Sequence, residues 1–387
     1  MDTTGATERY LQMTGRSPEG VWSAPGRVNL IGEHTDYNGG LALPIALPQR
    51  TVVAAGRRDD GMLRVTSAGF RRVVKLALDD VGPGTPTGWT SYVAGVPWAL
   101  RQAGYDVGGM DLAITSQVPL GAGLSSSAAL ECAVGAALAD LYGLGLLDDD
   151  AGRTTLAAAC VRAENEIAGA STGGLDQAAS LRCRAGHALL LDCRDGSATP
   201  VPFDLTEQGL TLLVTDTRAP HSLVDGQYAA RRRVCEEAAV ILGVPTLREI
   251  SLPDLDGALS RLPDDEHRRR VRHVVTETAR VEEVVAALEL DDWVRVGKAF
   301  VLSHASLRDD FEVTSAELDL AVDTALAHGA LGARMTGGGF GGSTIALVPA
   351  ERADDLASEI ERAFADARMR APVSFPVTAS GPAARDA

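Results

Sequence analysis

The chain of 387 residues is long for one hydrophobic core, so two domains are the default expectation. Its 45% apolar and 23% charged residues are ordinary for a soluble globular protein, and its net charge of −16 argues against a nucleic-acid surface, which needs a basic face. Backbone amides can still hold an anionic substrate locally, but Lys75 and Lys298 are the only lysines and neither follows a glycine-rich run, which excludes a loop ending in Gly-Lys-Ser/Thr.

The opening MDTTGATERYLQ has neither a basic n-region nor an apolar h-region and does not read as a signal peptide. No apolar run approaches the length of a membrane span. Cys132, Cys160, Cys183, Cys193 and Cys235 form no C-x-x-C pair, and the histidines form no H-x-x-x-H pair. Buried thiols in a reducing compartment are therefore expected, rather than disulfides or a zinc site. The chain reads as cytoplasmic, and no protein partner, nucleic acid or membrane is indicated.

Residues 24–40, APGRVNLIGEHTDYNGG, crowd Arg27, Asn29, Glu33, His34, Asp36 and Asn38 around a short apolar run that reads as a buried strand, Val28, Leu30 and Ile31. Unpaired charge is costly to bury. Such a cluster suits a ligand rich in hydroxyl groups, which these side chains recognise by donor and acceptor pattern. A solvated turn between two strands is the plainer alternative. Glu33, His34 and Asp36 cannot all face one side of an ideal strand, so a turn after Gly32 must gather them.

Further strands are predicted at 52–55, 63–67, 73–76 and 111–116, with a Pro/Gly loop at 79–88. Helices are predicted at 92–102, 125–142 and 154–167. Residues 118–130, VPLGAGLSSSAAL, lie between the strand at 111–116 and the second of these helices. Gly121 and Gly123 let the backbone approach a ligand, and three serines open a helix whose free amides and dipole attract an anion. The alternative is a glycine-rich turn with a serine N-cap, for which one serine would suffice.

Strands at 189–191 and 210–214 read as the start of a second sheet, which places the domain boundary near residue 190, giving 1–190 and 191–387. Helices at 229–243, 269–290, 292–303 and 315–328 follow from apolar residues at helical spacing, then a buried strand at 343–348. The glycine cluster RMTGGGFGGST (334–344) carries no catalytic side chain and reads as support for packed backbone or nucleotide. A flexible linker is its alternative, and Phe340 weighs against it. The tail after Ser380 is expected to fray. His221, His304 and His328 read as structural, and Arg268, Arg269, Arg270 and Arg272 as a solvated helix face.

GRVNLIGEHTDYNGG, PLGAGLSSSAAL, SHASLRDDFEVTSAE and RMTGGGFGGST together resemble, in order and over nearly the whole chain, the GHMP superfamily of small-molecule kinases, and within it the galactokinases. The resemblance implies an α+β fold of two domains, with mixed sheets, helices packed on them and an active site between the domains. It implies phosphorylation of α-D-galactose at the anomeric C1 hydroxyl, with ATP as cosubstrate and Mg2+ as cofactor. Arg27 and Asp176 then flank the anomeric hydroxyl as the catalytic pair. Glu33, His34 and Asp36 hold the other hydroxyls, and Gly173 and Tyr228 complete the pocket. By the same resemblance, Gly121, Ala122, Gly123, Leu124, Ser125, Ser126 and Ser127 lie against the ATP phosphates, Ser127 and Glu164 lie at magnesium, and Trp89 lies near adenine.

Two stretches depart from commoner versions of the family: residues 217–220 (TRAP) before His221 and Ser222, and Gly174 and Leu175 before Asp176. Neither alters a proposed charge, so they bear on sugar tolerance more than on chemistry. Asp176 follows a glycine-rich turn into a short helix, where a carboxylate is favoured in its charged form. That makes it a weak base, but phosphoryl transfer depends more on positioning and charge stabilisation than on early proton removal. Asp176 is therefore expected to orient the hydroxyl and finally accept its proton, with Arg27 stabilising developing charge. An N-acetylgalactosamine kinase would need extra room near the sugar's C2. A ligand sensor with little turnover would fit a shortened serine loop, whereas Ser125, Ser126, Ser127 and Ala128 are intact.

Overall fold

The computed structural model describes residues 3–70, 72–170, 172–219 and 224–387. In chain order its strands begin with β1 (Gly20–Asn29), β2 (Leu41–Ala42), β3 (Pro44–Arg58), β4 (Met62–Ser67), β5 (Val74–Ala77) and β6 (Gly109–Ser116). They continue with β7 (His187–Asp192), β8 (Ala198–Pro202), β9 (Leu210–Asp216), β10 (Gly332–Thr336), β11 (Ser343–Pro349), β12 (Val373–Val377) and β13 (Ala384–Arg385). The helices of the first half are α1 (Thr4–Thr14), α2 (Thr90–Gln102), α3 (Ser126–Leu141), α4 (Asp150–Arg162) and α5 (Leu175–Arg182). Those of the second are α6 (Val224–Leu242), α7 (Leu255–Ser260), α8 (Asp265–Leu288), α9 (Trp293–Ser306), α10 (Ala316–Ala327) and α11 (Ala353–Asp366).

Three sheets carry these strands: β13-β1-β3-β6-β4-β5, then β10-β11-β9-β12, and a small one, β2-β7-β8. The first is mixed, since β4 runs parallel to β6 while the other pairings are antiparallel. One hydrophobic core lies between this sheet and α2, α3 and α4. A second joins the two halves of the chain: Val28, Leu30 and Ile31 pack with Ala122 and Leu124 from one side and with Val281, Phe300 and Ile345 from the other. Leu30, Ile31 and Ile345 are fully buried there, each worth roughly 1.5–3 kcal/mol of burial.

Several expectations change. β7 does not begin the second large sheet; Asp192 and Leu191 pair with Leu41 and Ala42 of β2, directly beneath the polar turn. The second large sheet starts with β9. The tail is ordered rather than frayed: β13 pairs with β1 through Ala384 and Arg385, and Arg50 donates to the carbonyls of Gly381 and Pro382. Arg270 is buried, not solvated, because its guanidinium is taken up by the Asp310 carbonyl and the Glu266 and Glu312 carboxylates. Pro220, His221 and Ser222 lie outside the described residues. His304 is structural, accepting from the Met335 amide at Nδ1, and so is His328, held by the Thr324 carbonyl.

Candidate active site

Arg27 owes its direction to an irregularity in the sheet. The register between β1 and β3 slips at this point, so residues 47–49 stand opposite Gly26 alone. Pro48 occupies the irregular stretch, where a missing N–H costs no ladder bond. Gly26 is a position no other residue fits, since a Cβ there would lie 2.6 Å from the Leu124 carbonyl oxygen. Arg27 is thereby turned out of the sheet, with Nε 2.8 Å and Nη2 2.7 Å from Asp176 Oδ1, and Nη1 donating to the Gly123 carbonyl at 2.6 Å. The Ser125 hydroxyl donates to Asp176 Oδ2.

The turn after Gly32 does gather the polar cluster. Gly32 has φ +96°, and a Cβ would meet the Leu41 carbonyl oxygen at 2.4 Å. Thr35 closes the turn by donating to the Gly32 and Leu41 carbonyls. Glu33, His34 and Asp36 then line one cavity of about 180 Å³ together with Arg27, Asp176 and Tyr228. Asp36 is raised to about 6 by burial and by the charge of Asp176. Gly173 lies against it: an added Cβ would fall 2.1 Å from Asp36 Oδ2.

His34 is held neutral, its pKa lowered to about 3 by burial and by His273. Its Nε2 faces the Gly338 carbonyl at 3.2 Å, which can only accept, so Nε2 carries the proton and Nδ1 accepts from the Tyr37 hydroxyl at 2.9 Å. Phe311 packs on the ring at 4.7 Å between centroids and Tyr228 at 5.3 Å. Phe311, from the segment SHASLRDDFEVTSAE, thus backs the turn.

Glu33 is committed to the protein itself. Asn29 donates to Oε2 at 2.6 Å, Arg334 pairs with Oε2 at 3.0 Å, and the Gly337 amide donates to Oε1 at 2.7 Å. Burial raises its pKa against the pull of Arg334. Behind it, Glu277 of α8 accepts from the Gly32 amide at 3.0 Å and the Ser303 hydroxyl at 2.7 Å. Burial alone would raise Glu277, but Arg280 and Arg334 overcome it and hold the carboxyl far below its ordinary range. His273 donates from Nε2 to the Glu33 carbonyl at 3.1 Å and accepts from Ser306. Arg334, Glu277, His273 and Tyr37 were not identified from sequence; only the helical spacing of His273 and Glu277 hinted at a shared face.

A second cavity, of about 490 Å³, opens beside the first along Gly121, Gly123, Leu124, Ser125, Ser126 and Ser127. Arg27, Asp176, Tyr228 and Gly338 line both cavities. Ser125 sits at φ +58° and makes no cap bond to α3. The serine-cap alternative is therefore not what the fold adopts, and the positive end of α3 faces this cavity. Ala122 is buried, with its carbonyl bound by Ser343, and does not reach the cavity. Trp89 lines neither cavity; it stacks on Phe70 with centroids 4.8 Å apart.

Glu164 lies in a π-helical turn, Ala163–Ala168, that prolongs α4. Burial and the charge of Asp176 raise it to about 7, with bonds from Ser127 and Gln177 opposing the rise. Among the described residues no cluster of three or more His, Cys, Asp or Glu could hold an ion unaided. One carboxylate and one hydroxyl do suit magnesium when phosphate oxygens and water supply its other ligands.

The galactokinase galactose-binding signature matches residues 8–57, the GHMP kinase N-terminal domain 91–184 and the GHMP kinase C-terminal domain 284–366. A galactokinase of Streptomyces coelicolor is 54% identical over 98% of this chain and 97% of its own. One of Streptomyces lividans is 52% identical over 94% and 90%. The crystal structure of Lactococcus lactis galactokinase complexed with galactose superposes with a TM-score of 0.92 at 31% identity, covering 98% of each chain.

Proposed function

The chain belongs to the galactokinase family, and from that membership we propose how its own residues carry the reaction. It is an ATP-dependent sugar kinase: the γ-phosphoryl group of ATP passes to the anomeric C1 hydroxyl of α-D-galactose, giving galactose 1-phosphate and ADP. One observation carries the assignment of roles. Arg27 and Asp176, ion-paired at 2.7 Å, form the wall shared by a small cavity lined with carboxylates and a larger one along a serine-opened helix. Sugar fits the first and the ATP phosphates the second, so the attacked phosphorus and the attacking hydroxyl meet at that wall.

Asp176 orients the C1 hydroxyl and takes its proton as the bond to phosphorus forms. Arg27 neutralises charge growing on the transferred group, a positioning and electrostatic role suited to a loose transition state. Asp36 recognises the remaining hydroxyls, beside Gly173 and Tyr228, while neutral His34, both of whose ring nitrogens are bonded within the protein, lines the pocket and shapes it. Glu33 shapes the pocket and joins it to the Gly337 loop. Gly121, Gly123, Leu124, Ser125, Ser126 and Ser127 cradle the phosphates, with Ala122 supporting the loop from within. Glu164 and Ser127 would hold Mg2+, which would supply charge neutralisation on the phosphates.

The chain divides in two on this reading, with the cut near residue 190 moved past β7 and β8, which pair with each other and with β2, and with β13 returning to the first sheet. We assign the protein to the cytoplasm because all five thiols are unpaired; no helix among the described residues is long and apolar enough to cross a membrane. The test is ADP release with ATP, Mg2+ and a panel of sugars, with phosphorus NMR locating the product's phosphate. Phosphate on C1 of galactose supports the assignment. Binding of galactose and ATP without turnover overturns it.

A further inference from the structure

Behind Glu164 lies a buried arrangement that the reaction as described does not use. Gln177, fully buried on α5, follows Asp176 directly. Its Nε2 donates in two directions, to Glu164 Oε2 at 2.5 Å and to Glu131 Oε2 at 3.0 Å. Glu131, on α3, is also fully buried and its Oε1 has no partner; the same is true of Gln177 Oε1. A single amide thus spans two carboxyl groups and spends both its hydrogens on them. Polar groups left half-satisfied in a core are costly, so a purely packing role is poorly served by this choice of side chains.

We propose that Gln177, braced from behind by Glu131, is the positioning residue that fixes the Glu164 carboxylate for the metal–nucleotide complex. The geometry gives the amide leverage on two groups at once. It holds Glu164 in one rotamer, and its own backbone position is one residue from Asp176. Glu164, on the π-helical turn after α4, is therefore tied through the Gln177 side chain to the start of α5, where Asp176 lies, and through Glu131 to α3. Ser127, the second residue of α3 and part of the second cavity's lining, also bonds Glu164. Glu164 is thus gripped between the two ends of a short, closed circuit.

This inference rests on the assignment of Glu164 to the metal, and the experiment separates the two. Mn2+ binding to the protein in the presence of ADP is followed by electron paramagnetic resonance for wild type, Gln177→Leu, Glu131→Leu and Glu164→Gln. Galactose affinity is measured calorimetrically for each as a check on the fold. Gln177→Leu is expected to weaken Mn2+ binding by about tenfold or more, the range seen when a ligand's hydrogen-bonded support is removed, with galactose affinity retained. Glu131→Leu is expected to shift it in the same sense by a smaller factor, and serves if Gln177→Leu does not fold. Weakened Mn2+ binding in Glu164→Gln with wild-type binding in both other variants overturns the positioning role alone. Wild-type Mn2+ binding in Glu164→Gln overturns the metal assignment itself.

Discussion

Gly173→Ala isolates the contact between the glycine-rich turn before α5 and Asp36. The new Cβ would lie 2.1 Å from Asp36 Oδ2 and 2.6 Å from its Cγ, where ordinary contact begins near 3.4 Å. The carboxylate must therefore retreat by about 1 Å, a displacement that can cost about 100-fold at a group whose position matters. Gly173 is absent from the positive-φ glycines, so alanine can adopt its backbone. By itself that change stabilises a fold by about 0.4–1 kcal/mol through the unfolded chain. The two effects fall on different observables. Thermal unfolding should stay close to wild type, while galactose affinity by calorimetry and galactose KM worsen by one to two orders of magnitude, about 10- to 100-fold. ATP binding, which depends on the other cavity, should hold. Wild-type galactose affinity in a folded Gly173→Ala protein would refute the placement of Asp36 at the sugar.

Asp176→Asn should keep galactose and ATP binding and lose turnover by about 100-fold or more; wild-type turnover in a coupled ADP assay removes Asp176 from the mechanism. Asp36, raised to about 6, is neutral below that pH and gives up an acceptor, so galactose KM should rise on the acid side of pH 6. Asp36→Asn should abolish that limb, and a persisting limb would assign it to another group. His273 is lowered from 6.5 to about 4, chiefly by burial. Its folded pKa lies below its unfolded one, so the stability it contributes is complete above pH 6.5 and is lost on acidification towards pH 4, by about 1.4 kcal/mol per pH unit. Urea unfolding of His273→Gln across that window should show a slope shallower by one proton; an unchanged slope counts against a neutral buried ring.

Much of the site was legible because its chemistry is local. Glu33, His34 and Asp36 sit within four residues, and their identities demanded a turn that the Gly32 geometry supplies. The serine-opened helix was likewise readable from Gly121 to Ser127. What escaped the sequence is what arrives from far along the chain. Nothing near Glu33 announces that Arg334, Glu277 and His273 converge on it, because a buried ion pair leaves no periodic signature in either partner. Arg270 misled for the same reason: an arginine-rich helical face looks solvated until Glu312 and the Asp310 carbonyl are brought over it. β3 was read at 52–55 alone rather than over 15 residues; its first half carries Pro44 and Pro48, which donate no ladder bond. β13 went unread because its partner lies more than 360 residues earlier.

The polar turn at 32–40 belongs by sequence to the first half, yet its amide and carbonyl groups are bonded by Glu277 and His273 from the second. Recognition of the sugar is therefore not a portable module. A chimera that grafted this turn onto another kinase's second half would carry the carboxylates without the groups that aim them. It would also leave the Glu33 carboxylate without Arg334, an uncompensated buried charge worth about 3–5 kcal/mol. Recombination between relatives should succeed only where the crossover keeps the turn, α8 and the Arg334 strand together, so these three distant stretches are inherited as one unit.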